Sequence, residues 1–258
     1  TTLFRSCAGR FGDIADGFEL AGGAVEHETG GDIRKAGRVG GELGGIHAHD
    51  DNRRRDSPPR VASMNHLAHA LLAGDDEWLQ LGGMLGDFVH GQPDPQLLPP
   101  RVITGIRLHR AIDVYTDAHP EVLAAKALLP PPYRRYAGIL LDMWFDHCLA
   151  RDFPRWSAQP LDDSSEALRG LLHRHDALLP PELRRFRGYM EAHGLPAGYA
   201  DLAILGRALA GIGQRLSRAN PLDSALPVLV RREVALQERF DAFFPQLQAF
   251  ARDWVEGQ

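Results

Sequence analysis

The chain has 258 residues, 44% of them hydrophobic and 24% charged, with a formal net charge of −5 and a sequence pI near 6.2. That length is ample for one packed domain, or one with an appendage, and the lack of a basic balance argues against a nucleic-acid partner. No apolar run reaches membrane-spanning length, no basic-then-apolar leader opens the chain, and Cys7 and Cys148 form no CxxC or disulfide framework, so a reduced, cytoplasmic setting with no membrane is expected.

Residues 1–63 differ in character from the rest. They are Gly-rich, with glycine pairs at Gly22-Gly23, Gly30-Gly31, Gly40-Gly41 and Gly44-Gly45, and their apolar residues are thin and without sustained period. Such a segment buries too little surface to offset its chain entropy. The first methionine is Met64. The expectation is that the protein proper starts there, that the opening Thr-Thr-Leu-Phe-Arg-Ser is translated adapter DNA and that 7–63 is read-through of upstream DNA; the rival reading is a flexible extension. His47 and His49 in GGIHAHDD could chelate a metal weakly, but a solvated loop is the expectation.

From Met64 onward Leu, Ala and aromatics dominate and apolar residues recur at spacings of three and four. This predicts an all-α, single helical domain over 64–258. The first helix, 65–73, carries Asn65, His66 and His69 in MNHLAHALLA; a histidine on such a helix is more often a satisfied core residue than a ligand. The second, 78–90, includes GGMLGDFVHG, where Asp87 follows Gly86. Its glycines permit either a close backbone approach or close helix packing.

The third helix, 100–116, contains LHRAIDVYTD. His109, Asp113 and Asp117 recur at intervals of four and share one face; Arg110 lies three before Asp113 and could pair with it on a solvated face. Helices at 120–129 and 132–151 follow. The latter holds LDMWFDHCLA, with Asp142 and Asp146 on one face and His147 about 100° round. Two acids in so apolar a helix suit a metal site, a buried Asp–His pair or a helix cap. Helices at 162–177, 181–193, 199–218 and 222–256 complete the chain, with a break at Asn220-Pro221 and a kink expected at Phe244-Pro245. Leu-Pro-Pro at 98–100, 129–131 and 179–181 marks helix junctions, because proline ends one helix and is tolerated in the first turn of the next.

Carboxylates and imidazoles on apolar faces are costly to bury unpaired. A divalent cation is one partner. Oxygen and imidazole ligands without thiolates suit Mn²⁺, Mg²⁺ or Fe²⁺ better than structural zinc. A cation with an open position polarises a phosphoryl oxygen and acidifies a bound water, which points to metal-assisted phosphoester hydrolysis.

The four motifs MNHLAHALLA, GGMLGDFVHG, GIRLHRAIDVYTDAHP and DMWFDHCLAR, in this order, resemble the acyl carrier protein phosphodiesterase family. Ala210-Gly211, Arg215 and RFDAFFPQL from Arg239 extend the resemblance over essentially all of 64–258. It implies an all-helical fold similar to the His-Asp phosphohydrolases and a divalent cation, typically Mn²⁺. The implied reaction is hydrolysis of the 4′-phosphopantetheine group from holo acyl carrier protein to give the apo form. Asn65, His69, Asp87, His109, Arg110, Asp113, Asp117, Asp142, Asp146 and His147 fall on the family's motif positions. His66 departs, since an aromatic is more usual there. The dyad Asp146-His147 reverses the His-Asp order, which puts a simple transfer of that ligand set in doubt.

On this reading His69, Asp87, His109, Asp113 and His147 form the metal shell or its immediate surroundings. Asp146 or Asp142 orients an imidazole or accepts a proton from the attacking water, and Arg110 neutralises phosphate charge. Asn65, Arg134 and Arg135 are the expected substrate contacts. Arg184-Arg185-Arg187 and Arg231-Arg232 are further candidates for a patch that docks an acidic carrier protein, each also readable as a solvated helix face. Two alternatives stay open: a phosphohydrolase of nucleotides or other small phosphoesters, and a helical binding module whose Asp and His pairs are structural.

Overall fold

The computed structural model describes residues 65–258, so the expectations for 1–63 and for a start at Met64 lie outside the described residues. Ten α-helices follow one another, with no strand among the described residues: α1 His66–Leu72, α2 Glu77–Leu85, α3 Pro100–Ala118, α4 Pro120–Leu128, α5 Ala137–Arg151, α6 Leu161–Arg174, α7 Pro181–Ala192, α8 Leu202–Arg215, α9 Leu226–Val230 and α10 Glu233–Glu256. The all-α expectation is met.

Local chemistry explains most of the boundaries. Pro100, Pro120 and Pro181 each occupy the first position of a helix, where no backbone N–H is required. Asp76 caps α2 by accepting from the amides of Trp78 and Leu79, and Asp201 caps α8 by accepting from Ala203. The second helix stops at Leu85, earlier than the periodicity suggests, because the amides of Phe88 and Val89 both turn back to the Leu85 carbonyl. The predicted helix 132–151 divides into a 3₁₀ turn, Tyr133–Tyr136, and α5. Likewise 222–256 divides into a 3₁₀ turn, Leu222–Ser224, then α9 and α10; α10 runs through Pro245 as one helix.

Helix α5 forms the centre. From Leu140 to Ala150 every residue except Asp142 is buried, and the helix packs against α1, α4, α8, α10 and the 3₁₀ turn Ala197–Ala200. Each large apolar side chain fully removed from water contributes about 1.5–3 kcal/mol, and Trp144, Leu140, Leu149 and Met143 are fully buried here. Helices α2 and α3 cross at closest range where Gly82 meets Gly105. A Cβ on Gly82 would lie 2.3 Å from the Val102 carbonyl oxygen, and one on Gly105 2.5 Å from that of Leu79. This contact brings the end of α2 alongside the middle of α3.

Candidate metal centre

Two helices and one turn deliver the site. α1 brings His69, α3 brings His109 and Asp113, and the turn after α2 brings Asp87. One nitrogen from each imidazole and an oxygen of Asp113 lie within 4.8 Å of one another. The Nε2 of His69 is 3.3 Å from Asp113 Oδ1, and the Nε2 of His109 is 3.4 Å from Asp113 Oδ2 and 3.4 Å from Asp87 Oδ1. The two imidazole rings stack at 3.8 Å with 17° between their planes.

The glycines of the second motif make this arrangement possible. The carbonyl oxygen of Gly83 lies 2.8 Å from His109 Nδ1, which donates to it and so turns Nε2 toward the carboxylates. At Gly86 a Cβ would stand 2.2 Å from His109 Cγ, so the imidazole occupies the space that any other residue would fill. Both readings of these glycines hold, at different positions. Gly82 closes the helix crossing, and Gly83 and Gly86 cradle the ring.

His69 and His109 are buried, whereas the Asp113 side chain is 23% exposed, so the cluster opens to solvent on the carboxylate side. Burial, and then the neighbouring His109, lower the pKa of His69 and favour the neutral imidazole, which has a lone pair on one ring nitrogen. Burial also opposes charge on His109, yet Asp113 and Asp87 outweigh it and raise its pKa well above the ordinary value. Asp113 is correspondingly held well below the usual carboxylate range, since His109 and His69 overcome its burial. The carboxylates of Asp113 and Asp87 thus favour positive charge at this point. Neither nitrogen of His69 has a hydrogen-bond partner, although both are buried. A buried, unsatisfied imidazole facing a carboxylate off hydrogen-bond geometry fits a divalent cation with two nitrogen ligands and one oxygen ligand.

The remaining site candidates fall into two groups. Asp142, half-buried on α5, is near enough to feel Asp113, Asp117 and Asp87; burial first, then those carboxylates, push its pKa up to about 8. His66, missed as a neighbour of the cluster, is buried against Phe186, and its pKa is lowered to about 4 by burial. Asn65 precedes α1 as its N-terminal flanking residue, and its carbonyl accepts from the His69 amide.

The structure does not bring the others to the cluster. His147 donates from Nδ1 to the Tyr199 carbonyl at 2.8 Å and leans on Trp144. Asp146 is fully buried with both oxygens on the amides of Leu67 and Ala68, 3.3 Å each. Arg110 donates to the carbonyls of Gly91 at 2.8 Å and Val89 at 2.6 Å, and so clips the segment after Asp87 to α3. Asp117 pairs with Lys126. Arg134 donates to the carbonyls of Leu129 and Ala127, and Arg232 to that of Leu128, so two of the docking candidates finish the C-terminal end of α4. Arg184 and Arg187 pair with Asp176, while Arg135 and Arg231 are exposed.

Residues 64–247 match the family model described as acyl carrier protein phosphodiesterase. The chain belongs to the acyl carrier protein phosphodiesterase family. Among curated relatives, the acyl carrier protein phosphodiesterase of Serratia proteamaculans (strain 568) is 35% identical over 191 residues, covering 74% of this chain and 98% of the relative. Those of Yersinia enterocolitica (serotype O:8 / biotype 1B, strain NCTC 13174 / 8081), 31% identical over 191 residues, and Salmonella agona (strain SL483), 34% identical over 192, cover 74% and 73% of this chain and 98% and 97% of themselves. No solved structure matches. Membership covers all four motifs and every member of the cluster, and no described helix is long and apolar enough to cross a membrane.

Proposed function

We propose that this protein is a phosphoric diester hydrolase that removes the 4′-phosphopantetheine group from holo acyl carrier protein, giving apo acyl carrier protein and 4′-phosphopantetheine. Membership of the family and the names of the relatives support the substrate. The observation that carries the chemistry is the buried pair of stacked imidazoles converging on the half-exposed Asp113.

His69, His109 and Asp113 would hold a divalent cation, Mn²⁺ before Mg²⁺ or Fe²⁺, with Asp87 beside it. When bound, the cation supplies positive charge to a phosphoryl oxygen and acidifies a water. The chain's own groups do the rest. Gly83 fixes the tautomer of His109 through the Nδ1–H bond. Water adds to phosphorus and gives up a proton to the solvent on the open carboxylate side, the P–O bond to the carrier serine breaks, and the seryl oxygen takes up a proton. Asp142, whose carboxyl pKa is pushed up to about 8 by burial and the neighbouring carboxylates, is the group that gives it. Arg110 clips the segment that follows Asp87 to α3. Exposed Arg135 is the remaining docking candidate of its pair for an acidic partner.

The test is mass spectrometry of holo acyl carrier protein incubated with the full chain, with Mn²⁺ and with chelator. Loss of the phosphopantetheine mass in the Mn²⁺ sample alone is expected. Intact holo carrier protein from a folded, Mn²⁺-loaded enzyme would move the reading to a nucleotide or other small phosphoester.

A further inference from the structure

Asp146 stands on the central helix, 79 residues from Leu67 in sequence, and it is 0% exposed. Its two carboxylate oxygens accept one bond each from the Leu67 and Ala68 amides, the second and third residues of α1. Those are the amides that an N-terminal capping side chain normally satisfies. The flanking residue Asn65 makes no side-chain cap bond, so the cap of α1 comes from a different helix. α1 has only seven residues, too few to hold its own shape in water without tertiary support.

His69 is in the next position after Ala68. Its partner His109 is oriented by a ring hydrogen bond to Gly83, but neither ring nitrogen of His69 makes a hydrogen bond. The direction of the His69 imidazole is therefore set by stacking on His109, by the contact of its Nε2 with Asp113 at 3.3 Å and by where the α1 backbone lies. We infer that Asp146 is a positioning residue that acts through His69: by holding the first turn of α1 with both oxygens, it places that imidazole in register with His109 and Asp113. This assigns the acid of the Asp146-His147 dyad to the backbone of a neighbouring helix rather than to a cation. It rests on the proposed cation site for its consequence, and on hydrogen-bond geometry alone for its premise.

The experiment uses Asp146→Asn in the full chain. Asparagine keeps one acceptor and turns a donor toward the second amide, while changing volume little. In the metal-free protein, NMR of the histidine rings is expected to show His69 shifted and broadened, with the His109 Nδ1–H signal bonded to Gly83 retained. A Mn²⁺ titration is expected to show about a tenfold weaker affinity. The same substitution in a His69→Ala background is expected to change affinity less than about twofold, because its route to the cation is gone.

Unchanged His69 ring signals would overturn the inference, as would equal losses of affinity in both backgrounds. Should Asp146→Asn not fold, Asp146→Ser, which keeps one acceptor, is measured the same way. Failure of both to fold, with His69→Ala folded, would assign Asp146 to general stability and overturn the inference too. A parent protein that binds no Mn²⁺ refutes the cation site, and the ring signals of the metal-free protein then decide the positioning role by themselves.

Discussion

His69 and His109 stack face to face at 3.8 Å, although 40 positions separate them in the chain, and Asp113 reaches both Nε2 atoms at 3.3 and 3.4 Å. Two stacked imidazoles cannot both carry a proton in a buried site without strong repulsion. The arrangement divides the labour. His109, flanked by Asp113 and Asp87, attracts the charge, and His69 remains neutral.

Asp113 reaches both rings, so its removal disconnects the cluster. Asp113→Ala is expected to lower Mn²⁺ affinity by more than the 10–100-fold typical of losing an outer partner of a ligand, and turnover with it. Metal analysis of the purified variant beside a turnover assay checks this. Near-normal turnover with normal metal content would remove Asp113 from the mechanism.

Gly82 and Gly86 separate stability from function within one helical turn. A Cβ at Gly82 meets backbone, 2.3 Å from the Val102 carbonyl oxygen, and backbone cannot swing aside. Gly82→Ala should cost about 1–3 kcal/mol by forcing α2 from α3, read by urea unfolding. A Cβ at Gly86 meets the His109 ring at 2.2 Å. The ring can rotate away, so Gly86→Ala should unfold at a midpoint nearer the parent's yet bind Mn²⁺ at least about tenfold more weakly. The reverse pattern, with Gly86→Ala the less stable and the tighter Mn²⁺ binder, would contradict this assignment.

How much of this was legible in the chain depends on distance along it. Periods of three and four marked the helices, and the Leu-Pro-Pro junctions correctly put prolines at the starts of α3 and α7. The His109–Asp113 contact is an i, i+4 pair and was readable from spacing alone. The approach of His69 is set by how α1 docks on its neighbours, which no local pattern encodes. His147 illustrates the limit: about 100° of helix rotation from Asp146 sends its ring to the Tyr199 carbonyl. The cap was among the open readings of Asp146, but its target, 79 positions away, was not visible. The use of arginines 134 and 232 on the carbonyls closing α4 was equally hidden, since any basic pair reads as surface until its partners are known.

Asp142 carries a cost in the metal-free protein that its function would justify. Its folded pKa is about 8 against the ordinary 3.8, so between those values the folded state binds more protons than the unfolded one. Stability contributed by the protonated carboxyl is full below about pH 4 and is lost as pH rises through about 8. Asp142→Asn mimics the protonated acid at every pH. Without metal, its Tm is expected to exceed the parent's by several degrees at pH 8 and to approach it at pH 4. Turnover should fall by about a hundredfold or more if the carboxyl delivers the proton. Parallel Tm curves across this range would show that the group titrates normally.

His66 acts in the opposite sense. It is 2% exposed, its Nδ1 has no hydrogen-bond partner, and its ring meets Phe186 at 4.8 Å. Its folded pKa, about 4, lies below the ordinary 6.5, so the unfolded state binds the extra proton between those values. Stability is complete above about pH 6.5 and is lost as pH falls toward 4, by up to about 3 kcal/mol. His66→Phe removes both the titration and the unsatisfied nitrogen, and it keeps an aromatic pair with Phe186. Urea unfolding at pH 7 and pH 4.5 is expected to show a modest gain at pH 7 and a gain larger by about 2 kcal/mol at pH 4.5. An equal difference between variant and parent at both values would mean that His66 takes up its proton without disturbing the fold.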